Sequence, residues 1–350
     1  MKSISESDKN FALNDVKIIG DTVVYDIGAE PFTLHGMTKT ENGFIRMDEN
    51  IAAAVSEGVK EFNRCPACGR VRFVTDSPYI TLYVDGPEYE KDAGCMCVNG
   101  KAGFSLYETT ANGQRLINVF GAARESTFEF NSKATRELTV YFPIYYAPYD
   151  VRVGLGQGAF VGKARPYTVQ KPVVFYGSSI TQGATASHPG NPYIAMLSRR
   201  YDFDFINLGF SGNCKGEPLM AEYISQLDMS AFVLDYDHNA PSVEHHEKTF
   251  YPFYETVRKA NPDLPIIMMT MPYGRFMING WSEDRRKVIE NAYEKGIRNG
   301  DKNLYYVNQN HSFDRFGGQD GTSDLIHPND LGFACMADAM TPVFDKIFGK

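Results

Sequence analysis

The sequence predicts a two-part α/β protein: a β-sandwich over residues 1–170, then a doubly wound sheet of five parallel strands over residues 171–350. Two observations carry this. Up to about residue 150, short β-branched and aromatic runs alternate with turn dipeptides, and one stretch alone has helical periodicity. Beyond Lys171, strand-like runs alternate with helical ones, which is the pattern of βαβ units.

In the first part the strand-like runs are Val23–Tyr25, RVRFVT at 70–75, YITLYV at 79–84, GFSLY at 103–107, LINVF at 116–120 and ELTVYFPIYY at 137–146. Asp85-Gly86, Asn99-Gly100 and Asn112-Gly113 supply turns between them. Residues 48–62 read as one short helix with Ala52, Val55 and Val59 on one side. The glycine-rich stretch 148–172 reads as the boundary between the parts. In the second part strands are expected at 173–176, 203–208, 232–236, 265–271 and 304–307. Helices are expected at 192–200, 217–227, 247–260, from the cap Ser282 to about 298, and at 330–348.

The formal net charge of -8, with no basic stripe, excludes a nucleic-acid-binding class. No apolar run reaches membrane-spanning length, so no membrane partner is expected. The N-terminus MKSISESDKN lacks the apolar segment of a signal peptide, so the expectation is a cytoplasmic protein. Oligomeric state is not legible. Cys65-x-x-Cys68 and Cys95-x-Cys97 leave a structural zinc, free thiols and a disulfide all open. No phosphate loop is present, and GLGQGAF lacks the helix and acid of a dinucleotide fingerprint, so no cofactor is expected. His245 and His246 in SVEHHEK read as a solvated helix start, and His188 as a loop residue.

The chemistry gathers at the strand ends. Ser178 and Ser179 follow the first strand of the second part, and NLGFSGN (207–213) the second. Asp237-His238-Asn239 follows the third, and DLIHP (324–328) comes beyond the fifth. In a parallel sheet these positions share one edge, where such folds bind ligands. The order Ser…Asp…His is one a hydrolytic triad can take.

GSSITQG, NLGFSGN, DHN and DLIHP resemble, in order, the four blocks of the SGNH (GDSL-type) hydrolases, and the resemblance spans 171–350. GRVRFVTDSPYI and AGFSLYE resemble the β-sandwich ahead of one branch of that superfamily. Two positions depart from the pattern: Ser178 stands where the family usually has Asp, and His238 where it commonly has Gly. The resemblance implies a flavodoxin-like sheet behind a jelly-roll-like sandwich. It places the nucleophile at Ser179, the general base at His327 and its orienting acid at Asp324. It also implies an oxyanion hole made of the N–H groups of Ser179 and Gly212 and the Asn239 amide. The implied reaction is hydrolysis of a short-chain acyl ester, acetyl foremost, of a carbohydrate. An acyltransferase using the same acyl-enzyme, or an inactive carbohydrate-binding relative, are the alternatives. Tyr273, Phe276 and Trp281 are candidates for stacking on a sugar ring. Ile180, Phe210, Leu325 and Ile326 are expected to wall a small acyl pocket.

Overall fold

The computed structural model describes residues 17–89, 94–272 and 281–349. In the first half, two antiparallel sheets form a sandwich. One orders its strands Lys17–Ile19, Thr22–Asp26, Asp150–Gly156, Tyr79–Asp85 and Glu125–Glu129. The other runs Val161–Gly162, Arg70–Thr75, Arg136–Tyr141, Phe104–Thr110 and Gly113–Phe120, with Thr33–His35 also on Arg70–Thr75. Alternate residues of both sheets point inward, among them Val71, Phe73, Leu138 and Val140 against Ile80, Leu82, Val151 and Val153, and close one apolar core.

Two expectations are corrected here. Residues 48–62 form two helices, Glu49–Val55 and Glu57–Asn63. Ser56 between them is extended, and its Oγ accepts the Val59 N–H, so it ends one helix and caps the next. The glycine-rich stretch is more than a connection: Asp150–Gly156 lies inside its sheet, between Thr22–Asp26 and Tyr79–Asp85. Close packing accounts for Gly154, where a Cβ would sit 2.7 Å from Thr22 Cγ2 and 2.8 Å from Tyr83 Cε2.

The polar half of RVRFVT is buried, because that face carries the second half of the chain. Arg70 pairs with Asp204, and Arg72 Nη2 with Glu137 Oε1 at 2.9 Å. His35 Nδ1 lies 2.8 Å from the other oxygen of Asp204. The two guanidinium groups share the ring of Tyr167.

The second half is one parallel sheet in the order Phe203–Gly209, Val169–Gly177, Ala231–Asp235, Ile266–Met269, Leu304–Val307. Successive residues of a strand face opposite sides. Val173 and Phe175 therefore join one core with the helices Tyr193–Tyr201 and Asp330–Phe348. Val174 and Tyr176 join the other, with Pro218–Ser225, Val243–Ala260 and Trp281–Arg298. The strand order reverses beside Val169–Gly177: Gly177 pairs with Gly209 on one side and Asp235 on the other. A sheet of this kind opens its binding crevice there.

The helix Val243–Ala260 begins four residues before its expected start, because Ser242 caps it through the His245 N–H at 3.1 Å. His246 is consequently buried rather than solvated. Its ring packs on Tyr236 and Phe250, and neither ring nitrogen has a partner among the described residues. No described helix is long and apolar enough to cross a membrane.

Candidate active site

At Gly177 the strand Val169–Gly177 turns directly into a four-residue helix, Ser179–Gln182. Ser178 caps it, its Oγ accepting the Ile180 N–H at 3.2 Å. Ser179 holds the first helical position, so its N–H has no acceptor within the helix. The helix closes on Gly183 at φ 111°, a left-handed backbone that favours glycine. Ser179 is 9% exposed, which leaves little more than its hydroxyl in view.

Ser179 Oγ lies 2.9 Å from His327 Nε2, and His327 Nδ1 lies 2.7 Å from Asp324 Oδ2. Asp324 Oδ1 accepts the backbone N–H of His327 at 2.7 Å and of Ile326 at 3.1 Å. Leu325, at φ 69°, makes the tight bend that permits this. Burial works against the Asp324 charge. The hydrogen bonds from the His327 backbone and ring and from the Ile326 N–H outweigh it and hold the carboxyl below its ordinary value. An ionised carboxylate only accepts, so Nδ1 carries the hydrogen, and Nε2 offers its lone pair to the Ser179 hydroxyl. The loop is fastened at both ends: Ser323 N–H donates to His327 O at 2.9 Å, and Thr185 Oγ1 to Pro328 O at 2.7 Å.

Gly212 lies in the turn after Phe203–Gly209 at φ 70°. Asn239 ends the single turn Asp237–Asn239, and its Nδ2 donates to Phe210 O at 3.2 Å, which uses one of its two amide hydrogens. Among the described residues the N–H groups of Ser179 and Gly212 have no acceptor. Sequence reasoning missed the residues that bind these turns together. Gln182 accepts the Ser211 N–H on Oε1 at 2.9 Å and donates from Nε2 to Ile144 O at 3.2 Å. Asn207 donates to Thr181 O at 2.9 Å and accepts the Gly209 N–H at 2.9 Å. A Cβ on Gly209 would lie 2.3 Å from Gln182 N, so strand end and helix meet backbone to backbone. Gln182 and Asn207 both stand inside GSSITQG and NLGFSGN, which was the available signal.

Asp235 is also a support that the sequence reading passed over. It is buried under the turn that carries Ser178 and Ser179, bonded by Thr181 Oγ1 at 2.8 Å and Tyr193 OH at 3.1 Å. Burial, with Asp237 adding to it, raises its carboxyl well above the usual range. His238 Nε2 is buried without a partner among the described residues. Burial pushes this imidazole down to about 3, His327 and Arg285 adding to the effect, so it is neutral.

The cysteines do not converge as a zinc site. Cys65 and Cys68 are buried, Cys95 and Cys97 exposed, and all six cysteines are free. Among the described residues no three His, Cys, Asp or Glu side chains gather as metal ligands. Cys95 instead brings the sandwich to the site, with its Sγ 3.5 Å from Asp324 Oδ2. Ile180 and Phe210 are buried in the cores and do not wall a pocket, because the turns point their side chains inward. Leu325 and Ile326 are exposed beside the imidazole. Tyr273 and Phe276 lie outside the described residues; Trp281 opens its helix, and its side chain lies outside them too.

Residues 170–345 match the model of the GDSL-like lipase/acylhydrolase family, and residues 25–161 match that of the N-terminus of SGNH-hydrolase-type esterases. No curated protein matches the sequence. Among solved structures, a Bacteroides ovatus protein described as a GDSL-like lipase is similar with a TM-score of 0.82 and 29% identity, over 94% of this chain and 98% of that one. The salicylyl-acyltransferase SsfX3 of a tetracycline biosynthetic pathway is similar with a TM-score of 0.76 and 17% identity, over 95% and 100%. A family two carbohydrate esterase of Clostridium thermocellum, in complex with cellohexaose, gives a TM-score of 0.60 and 14% identity, over 91% and 99%. At those identities the last two are likenesses of fold.

Proposed function

Because the chain belongs to the GDSL-like lipase/acylhydrolase family, we propose that it is a serine esterase whose acyl-enzyme forms on Ser179 and whose substrates are short-chain, foremost acetyl, esters of carbohydrates. The observation that carries the mechanism is the relay Ser179 Oγ–His327 Nε2–Asp324 at 2.9 and 2.7 Å. His327 takes the Ser179 proton as Oγ adds to the ester carbonyl, then returns it to the leaving alcohol. Water, activated by the same imidazole, releases the acid. Asp324 fixes the tautomer and steadies the imidazolium. The carbonyl oxygen, negative in each tetrahedral intermediate, is received by the N–H groups of Ser179 and Gly212 and the second amide hydrogen of Asn239.

The acyl preference rests on the burial of Ser179, which is 9% exposed. The carbohydrate preference rests on the fold likeness to an esterase that holds cellohexaose. A panel of esters varied in acyl length and in alcohol tests both. The expected result is kcat/KM for acetyl above butyryl, little turnover of octanoyl esters, and acetylated sugars above simple alkyl acetates. A rise toward long chains overturns the acetyl reading. Product analysis with added acceptor alcohols separates the hydrolase from an acyltransferase.

A further inference from the structure

Arg46 comes from the first half of the chain and is buried; it directly follows the strand Gly43–Ile45, which pairs with Thr38–Thr40 in a two-stranded sheet of its own and packs Phe44 into the sandwich core. Its Nη1 donates to Asn207 O at 2.6 Å and to Gly209 O at 2.8 Å, and its Nη2 to Phe62 O at 2.8 Å. The guanidinium lies 4.3 Å over the Phe210 ring. All its recorded acceptors are carbonyls: no carboxylate pairs with it among the described residues, and its Nε is buried without a partner. The ionisable groups that act on it are Cys65, Cys214, Tyr145 and Cys68, each raised by burial. Arg46 keeps its own charge, since burial lowers it only to about 10. A buried cation with no counter-charge is costly, so its position calls for a reason.

That position is behind the oxyanion turn. Gly209, whose carbonyl Arg46 holds, is followed by Phe210. The Phe210 N–H donates to Gly177 O at 3.0 Å, and the Phe210 carbonyl receives the Asn239 amide. The Ser178 N–H continues the chain to Asp235 O at 3.2 Å. This series, Arg46 to Gly209 O, Phe210 N–H to Gly177 O and Ser178 N–H to Asp235 O, ties the turn after Gly209 to the turn after Gly177 and ends on Asp235, so what Arg46 gives the oxyanion donors through it is position. In a water-excluded setting its field also acts on negative charge that develops nearby.

We propose that Arg46 is a positioning residue for the ester-cleaving reaction, a cation lent by the first half of the chain that holds the oxyanion turn in register and stabilises the oxyanion through its uncompensated field. This rests on the serine-esterase reading and adds to it that the first half of the chain is part of the catalytic device. It makes Arg46 distinct from Arg70, which bridges the same two halves but is neutralised by Asp204, and from Arg72, which pairs with Glu137 inside the first half.

The test compares wild type with Arg46→Lys, Arg46→Met and Ser179→Ala, on an acetyl ester and on a trifluoromethyl ketone. Ser179 Oγ adds to the ketone carbonyl carbon while its proton passes to His327, leaving an oxyanion in the hole. The expected result is a fall in kcat of about 30- to 100-fold in Arg46→Met at nearly constant KM, with partial recovery in Arg46→Lys. Affinity for the ketone should fall in parallel with kcat, while affinity for the matching uncharged alcohol is unchanged. A merely structural role would lower thermal stability and leave the ketone-to-alcohol affinity ratio where it is, and that outcome overturns the proposal. Should Arg46→Met fail to fold, Arg46→Lys carries the same ratio test. Ser179→Ala keeps the two readings apart: activity surviving there defeats the esterase reading, while activity lost there but unaltered in the Arg46 variants defeats this inference alone.

Discussion

Asp324 commits both of its oxygens to His327: Oδ1 takes the backbone N–H and Oδ2 the ring Nδ1, each at 2.7 Å. The acid thus fixes where the imidazole is attached and which way its proton points. Asp324→Asn breaks the second function more than the first. Its amide can keep an oxygen on the backbone N–H only by turning its NH2 toward Nδ1, which drives the ring hydrogen to Nε2. We expect kcat to fall by about 10³- to 10⁴-fold with little change in thermal stability. Steady-state kinetics beside a melting curve checks it.

Ser179→Ala should abolish turnover, whereas Ser178→Ala should leave most of it. The neighbouring hydroxyls differ in what they face: Ser178 Oγ accepts the Ile180 N–H as a cap, and Ser179 Oγ meets the imidazole. Loss of the cap costs about 1 kcal/mol of stability. Labelling by a fluorophosphonate should follow the same division, present in Ser178→Ala and absent in Ser179→Ala. The reverse pattern would move the nucleophile by one residue.

Asn239→Ala should lower kcat by about 10²- to 10³-fold while KM stays near wild type, since the amide is assigned to the transition state rather than to the bound ester. An equal rise in KM at constant kcat would instead make Asn239 a ground-state contact.

Acid should weaken the fold through two histidines. His238 and His246 are each pushed down to about 3 by burial, against about 6.5 for a free imidazole. Both stay neutral in the folded protein, while the unfolded chain takes up protons below about 6.5. The stability they permit is therefore fully present above that value and is lost as pH falls toward 3. At pH 4.5 the loss is about 2–3 kcal/mol for each. Asp237, raised to about 7 chiefly by burial, acts in the opposite sense over part of that range. The comparison is therefore made between variants: Tm of His246→Leu should drop less than that of wild type between pH 7 and 4.5. Equal drops would mean that His246 is hydrated or protonated in the fold.

The parallel sheet and its site were largely legible because the signals are local. A strand ending in Gly177, polar residues after four of the five strands, and the three-residue spacing of Asp324 and His327 can be read without knowing the neighbours. Arg46 carries no such signal, since one arginine after a short strand looks like any surface arginine until Asn207 and Gly209 close over it. The same holds for His246, whose burial is decided by Tyr236 and Phe250, and for Ser56, whose extended backbone splits what periodicity reads as one helix. Asp150–Gly156 was hidden by its glycines, which read as flexibility when taken alone and as room for Thr22 and Tyr83 once the strands are aligned. Ile180 and Phe210 mislead for a related reason: adjacency to a reactive residue in the chain says nothing of which way a side chain leaves the turn.

Leu325, bent into left-handed backbone at φ 69°, sets a fixed gauge between acid and base. Asp324 reaches the two following amides only because that one residue reverses the chain, and no slack remains in the loop once Ser323 has also closed on His327. A residue inserted between Asp324 and His327 would not lengthen the relay but uncouple it, since both oxygens would lose their donors together. A glycine in place of Leu325 would relax the bend and widen the range of angles at which the imidazole meets Ser179. For anyone reshaping the entrance to accept a bulkier ester, the tolerant place to cut is therefore the exposed side chain of Ile326, and the length of this turn is the dimension to leave alone.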